Sequence, residues 1–376
     1  AVLWFRRDLR IGDQPALLAA AAEPWVALFV IDPPMWRRAG AARRAWLAAS
    51  VKATWEALYG KLSVRIGRPV DVVPALAREV GAGSVHVSGE STPAGRRRDA
   101  AVSAALATGG VSWAETGSPY AVSPGRMLTG EGTAYRVFTP FYRAWTAHGW
   151  RAPADSAEPA FIARLAPVDS DPDALRMLDA ALAEGPTRPV AGEPAALARW
   201  QRFREGALAT YHVDRDRPDL ASTSWASIDL KVGAIHPRTL LHDLRGRTDA
   251  GATAYIRQLA WRDFYADVLW HHPASAWTDL TANLAGMPYA DLDGGSAGGM
   301  THAEAWQQGR TGYPIVDAGM RQLLATGWMH NRVRMITASF FTKDLHLWWP
   351  AGARHFLDHL IDGDVASNSH GWQWVA

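Results

Sequence analysis

The 376-residue chain contains no cysteine, which excludes a disulfide framework, a thiolate nucleophile and a thiolate metal site; no metal is expected. No run of eighteen apolar residues occurs, so no membrane span is expected. The opening "AVLWF" reads as a buried strand rather than a signal peptide, which makes the cytoplasm the expected compartment. A surplus of one charge sign is missing too. Lys+Arg number 39 against 37 Asp+Glu, a net charge of +2. That excludes a global field for polyanions, and any nucleic-acid site must be a local patch. From Arg199 onward 17 basic residues meet 18 acidic ones, so the C-terminal half is about neutral. There is no G-x-G-x-x-G after the first strand and no internal repeat, so a dinucleotide-binding Rossmann assignment fails.

What is present in excess is tryptophan. Of nineteen, eleven lie between Trp200 and Trp374. Core filling explains any one of them and explains the total poorly.

Two textures divide the chain. Residues 1–116 alternate short β-rich runs ("AVLWF", "WVALFVI", "VDVV", "SVHVS") with Ala-rich stretches such as "AARRAWLAASVKATWEALYGKL". That rhythm predicts an α/β domain with a parallel, doubly wound, Rossmann-like sheet, its strands buried on both faces. Residues 117–193 are rich in Pro and Gly and read as a long ordered linker. Residues 194–376 repeat apolar positions at three and four and predict an all-α domain.

Four stretches carry chemistry. "WFRRDLR" ends the first strand, where open parallel sheets bind ligands. Two readings stand: Arg6, Arg7 and Arg10 hold an anion, or Arg7–Asp8 and Arg10–Asp13 pair on a solvated loop. "TSWAS" (Thr223–Ser227) enters a helical stretch and either caps it or cradles phosphate. In "GWMHNRVRM", helical spacing puts Asn331 with Met335 on one face and His330 with Arg334 on the next. A polarizable Met beside an amide suits a flat heteroaromatic, and Arg334 suits a carboxylate such as Asp362. The closing "LIDGDVASNSHGWQWVA" sets two acids two residues apart ahead of two tryptophans two apart, too aromatic for a disordered tail.

With "RQLAWRDFY" (Arg257–Tyr265) and "GRTGYP" (Gly309–Pro314) added, these segments closely resemble the photolyase/cryptochrome family of blue-light flavoproteins, across almost the whole chain. The resemblance implies an α/β antenna domain, a long linker and a helical domain that binds FAD and DNA. It implies that Tyr211, Thr223, Ser224 and Ser227 hold the FAD phosphates and ribose, with Arg262 nearby. Asn331, Arg334, Asp362, Asp364 and Asn368 would line the isoalloxazine. Trp372 and Trp349 match the inner and middle members of an electron-carrying tryptophan chain, whose usual outer position is Ser296 here.

The implied substrate is DNA containing a cyclobutane pyrimidine dimer, flipped out of the duplex and bound with little sequence preference. Gln258 would bond the dimer, Trp261 would stack on it and Met335 would touch it. Arg215 and Arg332 would hold backbone phosphates. Gln258 stands where a Glu is usual, and Trp225 where an Arg is usual. Members that repair (6–4) photoproducts carry His in place of Asn331 and Met335, so that activity is not expected, and "HGWQW" argues against the DASH branch. The expectation is a monomeric bacterial class I photolyase; the alternative is a cryptochrome-like protein that signals or binds DNA without repair. For the antenna chromophore a deazaflavin is preferred over a folate, and an empty crevice is the third option. The chain stops soon after "GWQW", short of the segment with which the family continues; that segment covers part of the substrate cavity and the flavin's edge, so both sites are expected to be weakened.

Overall fold

The computed structural model describes residues 1–155, 159–186, 188–284, 286–294, 296–297 and 299–376, with the side chains of 159, 160, 284, 296 and 297 left aside. Strands β1 (Val2–Phe5), β2 (Val26–Ile31), β3 (Leu62–Ile66), β4 (Ser84–Val87) and β5 (Ser112–Glu115) form one parallel sheet in the order β3-β2-β1-β4-β5. β1 is central, with Val2 opposite Val26 on one side and Val85 on the other. β1 and β2 are apolar and buried throughout because both faces are covered. Leu3, Phe5, Ala27 and Phe29 face the main core; Val2, Trp4, Val26 and Leu28 face a second cluster with Val73, Leu76 and Val102. The edge strand β5 is only partly buried, which is why its "SWAE" carries no apolar run.

Two local readings differ. "VDVV" lies in a helix, Pro69–Glu79, not a strand. Pro69 starts it, where a missing N–H costs nothing, and Val73, Leu76 and Ala77 bury one face at helical spacing. The strand is β3, whose first residue, Leu62, reads in the sequence as the end of the preceding helix. That helix, Ala41–Ala57, stops earlier, and Tyr59 and Gly60 turn the chain through positive φ.

The stretch read as a linker carries helices Phe138–His148, Pro159–Ala163 and Pro172–Glu184. It buries Phe141, Trp145 and Leu178 in the main core, so it does more than cross a surface. Beyond it the chain is almost wholly helical. The central helix Ala250–His271 is capped by Asp249, whose Oδ1 accepts from Ala252 N at 3.0 Å. It buries residues around most of its circumference, including Tyr255, Leu259, Asp263, Phe264 and Asp267. Helices Pro314–Thr326, Asn331–Ser339, Trp349–His359 and Val365–Val375 enclose a further cluster of Trp306, Met320, Trp349, Phe356 and Trp372. No helix is long and apolar enough to cross a membrane, among the described residues.

Candidate active site

The helical part opens on a cavity of 630 Å³, inside the range of cofactor sites. Every residue assigned to cofactor, substrate or DNA lines it, as does Trp372 of the tryptophan chain, whereas Trp349 does not. One wall is the Ala250–His271 helix, which presents Gln258, Trp261 and Arg262 within two turns. Trp261 is half-buried and stacks on Phe138 at 3.7 Å between ring centroids, 6° from parallel. Arg262 donates to Pro119 O at 2.7 Å and Leu230 O at 3.3 Å, which fixes it at the edge of the cavity.

The opposite wall is the Asn331–Ser339 helix. His330 caps it, its Nδ1 accepting from Arg332 N at 3.2 Å. Burial and the neighbouring Arg332 and Arg334 push the His330 ring below its ordinary pKa, the neutral state a cap requires. Asn331 Nδ2 approaches Met335 Sδ at 3.8 Å, one helical turn on. Arg334 grips Asp362 with two bonds, Nη1 to Oδ1 at 3.1 Å and Nη2 to Oδ2 at 3.0 Å. Ser227 Oγ adds a third, to Asp362 Oδ2 at 2.6 Å. Asp362 is thus acceptor to two elements and cannot turn freely into the cavity.

Thr223 to Trp225 lead into the helix Ala226–Val232, whose first turn carries Ser227. Ser224 Oγ lies 2.9 Å from Tyr255 Oη and accepts from Ala226 N at 3.2 Å. Trp225 is left-handed, φ 56°, a conformation that costs a bulky residue about 1–2 kcal/mol. Its ring is stacked on Trp328 at 4.3 Å, 9° from parallel, which offsets part of that cost.

The closing stretch forms the floor. Asp364 caps the last helix, Oδ1 accepting from Ser367 N at 3.1 Å, and Oδ2 takes Arg7 Nη2 at 2.8 Å. Burial raises this carboxyl, but Arg7, Lys231 and Arg262 outweigh it and hold the group well below the usual range. Asn368 Nδ2 donates to Ala353 O at 2.9 Å. Trp372 packs against Gly352, where an added Cβ would meet the indole at 2.3 Å, so that position requires glycine. The Trp372 Nε1 has no partner among the described residues. Trp349 sits behind the floor in the same apolar cluster, donating Nε1–H to Asp279 Oδ1 at 2.7 Å. Ser296 falls in the two-residue strand Ser296–Ala297, and its side chain lies outside the described residues.

The "WFRRDLR" arginines match neither reading. Arg6 bonds Asp99 and Ser88 O, Arg7 bonds Asp364 and lies 3.7 Å from Glu90, and Arg10 bonds Gly233 O and Asp13 O. The loop is buried rather than solvated, and its charges are spent inside the chain. Gly233, φ 74°, permits this closeness: a Cβ there would meet Arg7 O at 2.0 Å.

Lys231, which sequence reasoning missed, also lines the cavity and forms no ion pair among the described residues. Burial, then the neighbouring Arg7, push its amine down to about 7. It lies one turn from Ser227 on the same helix, a spacing that could have revealed it.

Family models now decide the kinship: the FAD binding domain of DNA photolyase matches residues 255–376, and DNA photolyase matches residues 1–160. A deoxyribodipyrimidine photo-lyase of Streptomyces griseus is 39% identical over 391 residues, covering all of this chain and 82% of its own. The chain belongs to the photolyase/cryptochrome family. A class III photolyase structure from Agrobacterium tumefaciens superposes on this family member with a TM-score of 0.86 at 32% identity, covering the whole chain and 79% of its own. An archaeal photolyase from Sulfolobus tokodaii, solved with two FAD molecules and implying a novel light-harvesting cofactor, gives 0.84 at 25%, covering the whole chain and 82% of its own.

This photolyase-family cavity suits FAD chemically. It offers hydroxyls, an amide wall, and the Lys231 amine and an indole N–H, neither of which has a partner among the described residues, a set matched to an anionic, hydrogen-bonding heteroaromatic.

Proposed function

We propose that this chain is a deoxyribodipyrimidine photo-lyase, which uses light to split cyclobutane pyrimidine dimers in DNA. The observation that carries this is one cavity in which Gln258, Trp261 and Met335 share walls with the residues suited to FAD. FAD, bound and reduced, supplies the light-driven electron that opens the cyclobutane ring and accepts it back.

The chain's own residues do the rest. Tyr211, Thr223, Ser224 and Ser227 take the cofactor's phosphates and ribose, with Arg262 and Lys231 supplying positive charge. Asn331, Arg334, Asp362, Asp364 and Asn368 form the wall for the ring system, stiffened by the Arg334–Asp362 fork. Trp261 offers the flipped dimer the face that Phe138 does not cover, Gln258 bonds the dimer, and Met335 fills against it. Gln keeps an acceptor but adds no negative charge beside the base. Flipping costs least for a damaged, poorly stacked step, so the cavity selects the lesion without reading sequence. Arg215 and Arg332 take flanking phosphates. Trp372 and Trp349 belong to electron supply from the protein side, with Asp279 holding the Trp349 indole.

Within the family, Asn331 and Met335 support dimer repair over (6–4) repair, and the class I placement rests on them together with "HGWQW", which argues against the DASH branch. A second chromophore belongs at the sheet's switch point, between β1 and β4. Because the arginines there are already paired, an uncharged ring system such as a deazaflavin fits better than an anionic folate. We further read the protein as a cytoplasmic monomer.

The test is binding in the dark. FAD-loaded protein should prefer a duplex with one thymine dimer over the same duplex without it. Equal affinity for the two would refute the proposal.

A further inference from the structure

Two arginines at the cavity mouth share one carboxylate. Arg332 Nε donates to Asp216 Oδ1 at 2.6 Å, and Arg215 Nε lies 3.7 Å from the same oxygen. Arg332 is held at a second point, its Nη1 3.2 Å from Met335 Sδ. The Arg332 Nη2 and the Arg215 guanidinium make no hydrogen bond among the described residues. Asp216 is 57% exposed, so its charge faces whatever approaches the mouth.

Resting on the reading that this mouth meets DNA, we propose that Asp216 is a specificity-determining residue: it restrains binding to undamaged DNA and fixes Arg332 for the flipped dimer. The argument has two parts. Undamaged duplex gains only phosphate contacts here, and a carboxylate between the two arginines cancels part of their charge and repels phosphate. Such contacts tolerate any arginine position, because phosphates recur along the backbone. A flipped dimer is different: Trp261 and Gln258 fix its place, so the flanking phosphates need Arg332 at one position, which Asp216 and Met335 define. One carboxylate therefore weakens the non-specific complex and orders the specific one. With a net charge of only +2, the chain has no general field to mask such a local effect.

The experiment measures anisotropy in the dark, with FAD-loaded protein, an undamaged duplex and the same duplex carrying one thymine dimer, between 50 and 200 mM salt, a range of roughly fourfold over which phosphate contacts dominate. Asp216→Asn should tighten binding to undamaged duplex by about fivefold, the upper range for a surface charge. It should steepen the salt dependence by up to about one counterion. The dimer duplex should gain less, so the damage preference falls. Asp219→Asn removes the same charge from the same loop, where the Asp219 carboxylate bonds only Arg217 among the described residues, and should move neither quantity. Unchanged or weaker binding of undamaged duplex by Asp216→Asn would overturn the proposal, as would an equal effect from Asp219→Asn. If the wild-type chain shows no dimer preference, the functional reading itself fails; if it does and Asp216→Asn is silent, only this inference fails.

Discussion

Asp263 shows most clearly how burial sets chemistry at the scale of one residue. Its Oδ2 accepts from Val122 N at 2.9 Å and Trp145 Nε1 at 3.0 Å, while Oδ1 has no partner among the described residues. Burial pushes the carboxyl up to about 6, against a backbone bond and Arg262 that pull it down. A raised carboxylate contributes stability below its ordinary value and loses it as pH climbs through about 6; the total is on the order of 3 kcal/mol. Asp263→Asn should therefore narrow the difference between unfolding midpoints at pH 5 and pH 8, measured calorimetrically. Lys231 makes a second prediction. With its amine near 7, the cation is present below neutrality and lost above it, so FAD affinity should fall as pH rises from 6 to 9. Asp364, Arg7, Arg43 and Glu90 also act on this amine, and the carboxylates and guanidinium groups keep their charge over that range. Lys231→Met should bind FAD more weakly than wild type at pH 6 and equally at pH 9, by fluorescence titration. Trp261→Ala should lose dimer preference yet keep FAD, since Trp261 is proposed for the substrate side. Equal loss of FAD would place it instead in the cofactor wall.

Among elements, the decisive contact joins the end of β1 to the start of the last helix. Arg7 and Asp364 lie 357 residues apart and meet at 2.8 Å. The sequence displayed both residues but not the contact, since charge pairing across that distance leaves no periodicity to read. Arg334 and Asp362 were legible because one helix fixed the arginine's face and the acid sat in a distinctive stretch. The β3 strand was not legible: its first residue continued an Ala-rich helical run, and only the turn at Tyr59 and Gly60 separates them. Arg7→Ala removes the ion-pair partner of the buried Asp364, while Glu90 keeps Arg98 and the Ser91 and Thr92 N–H groups, and should cost about 3–5 kcal/mol in urea unfolding. Arg7→Lys keeps the charge without the fork and should fall between. If Arg7→Ala unfolds like wild type, the sheet and the cavity floor are not coupled as described.

For the whole molecule, the α/β sheet and helical remainder were readable because apolar runs and helical spacing alternate in separate regions of the chain. The position of the cavity was not, because its walls come from segments between Tyr211 and Val375 that only tertiary packing unites. The same architecture concentrates the chemistry: one cavity takes in both the residues proposed for FAD and those proposed for the dimer. The most direct measurement is repair itself. FAD-reduced protein is mixed with a dimer-containing oligonucleotide, and intact thymines are counted after blue or near-ultraviolet light and after an equal time in the dark. Restoration of thymines only in the light is the result expected here. Tight, selective dimer binding with no restoration under illumination would contradict the account.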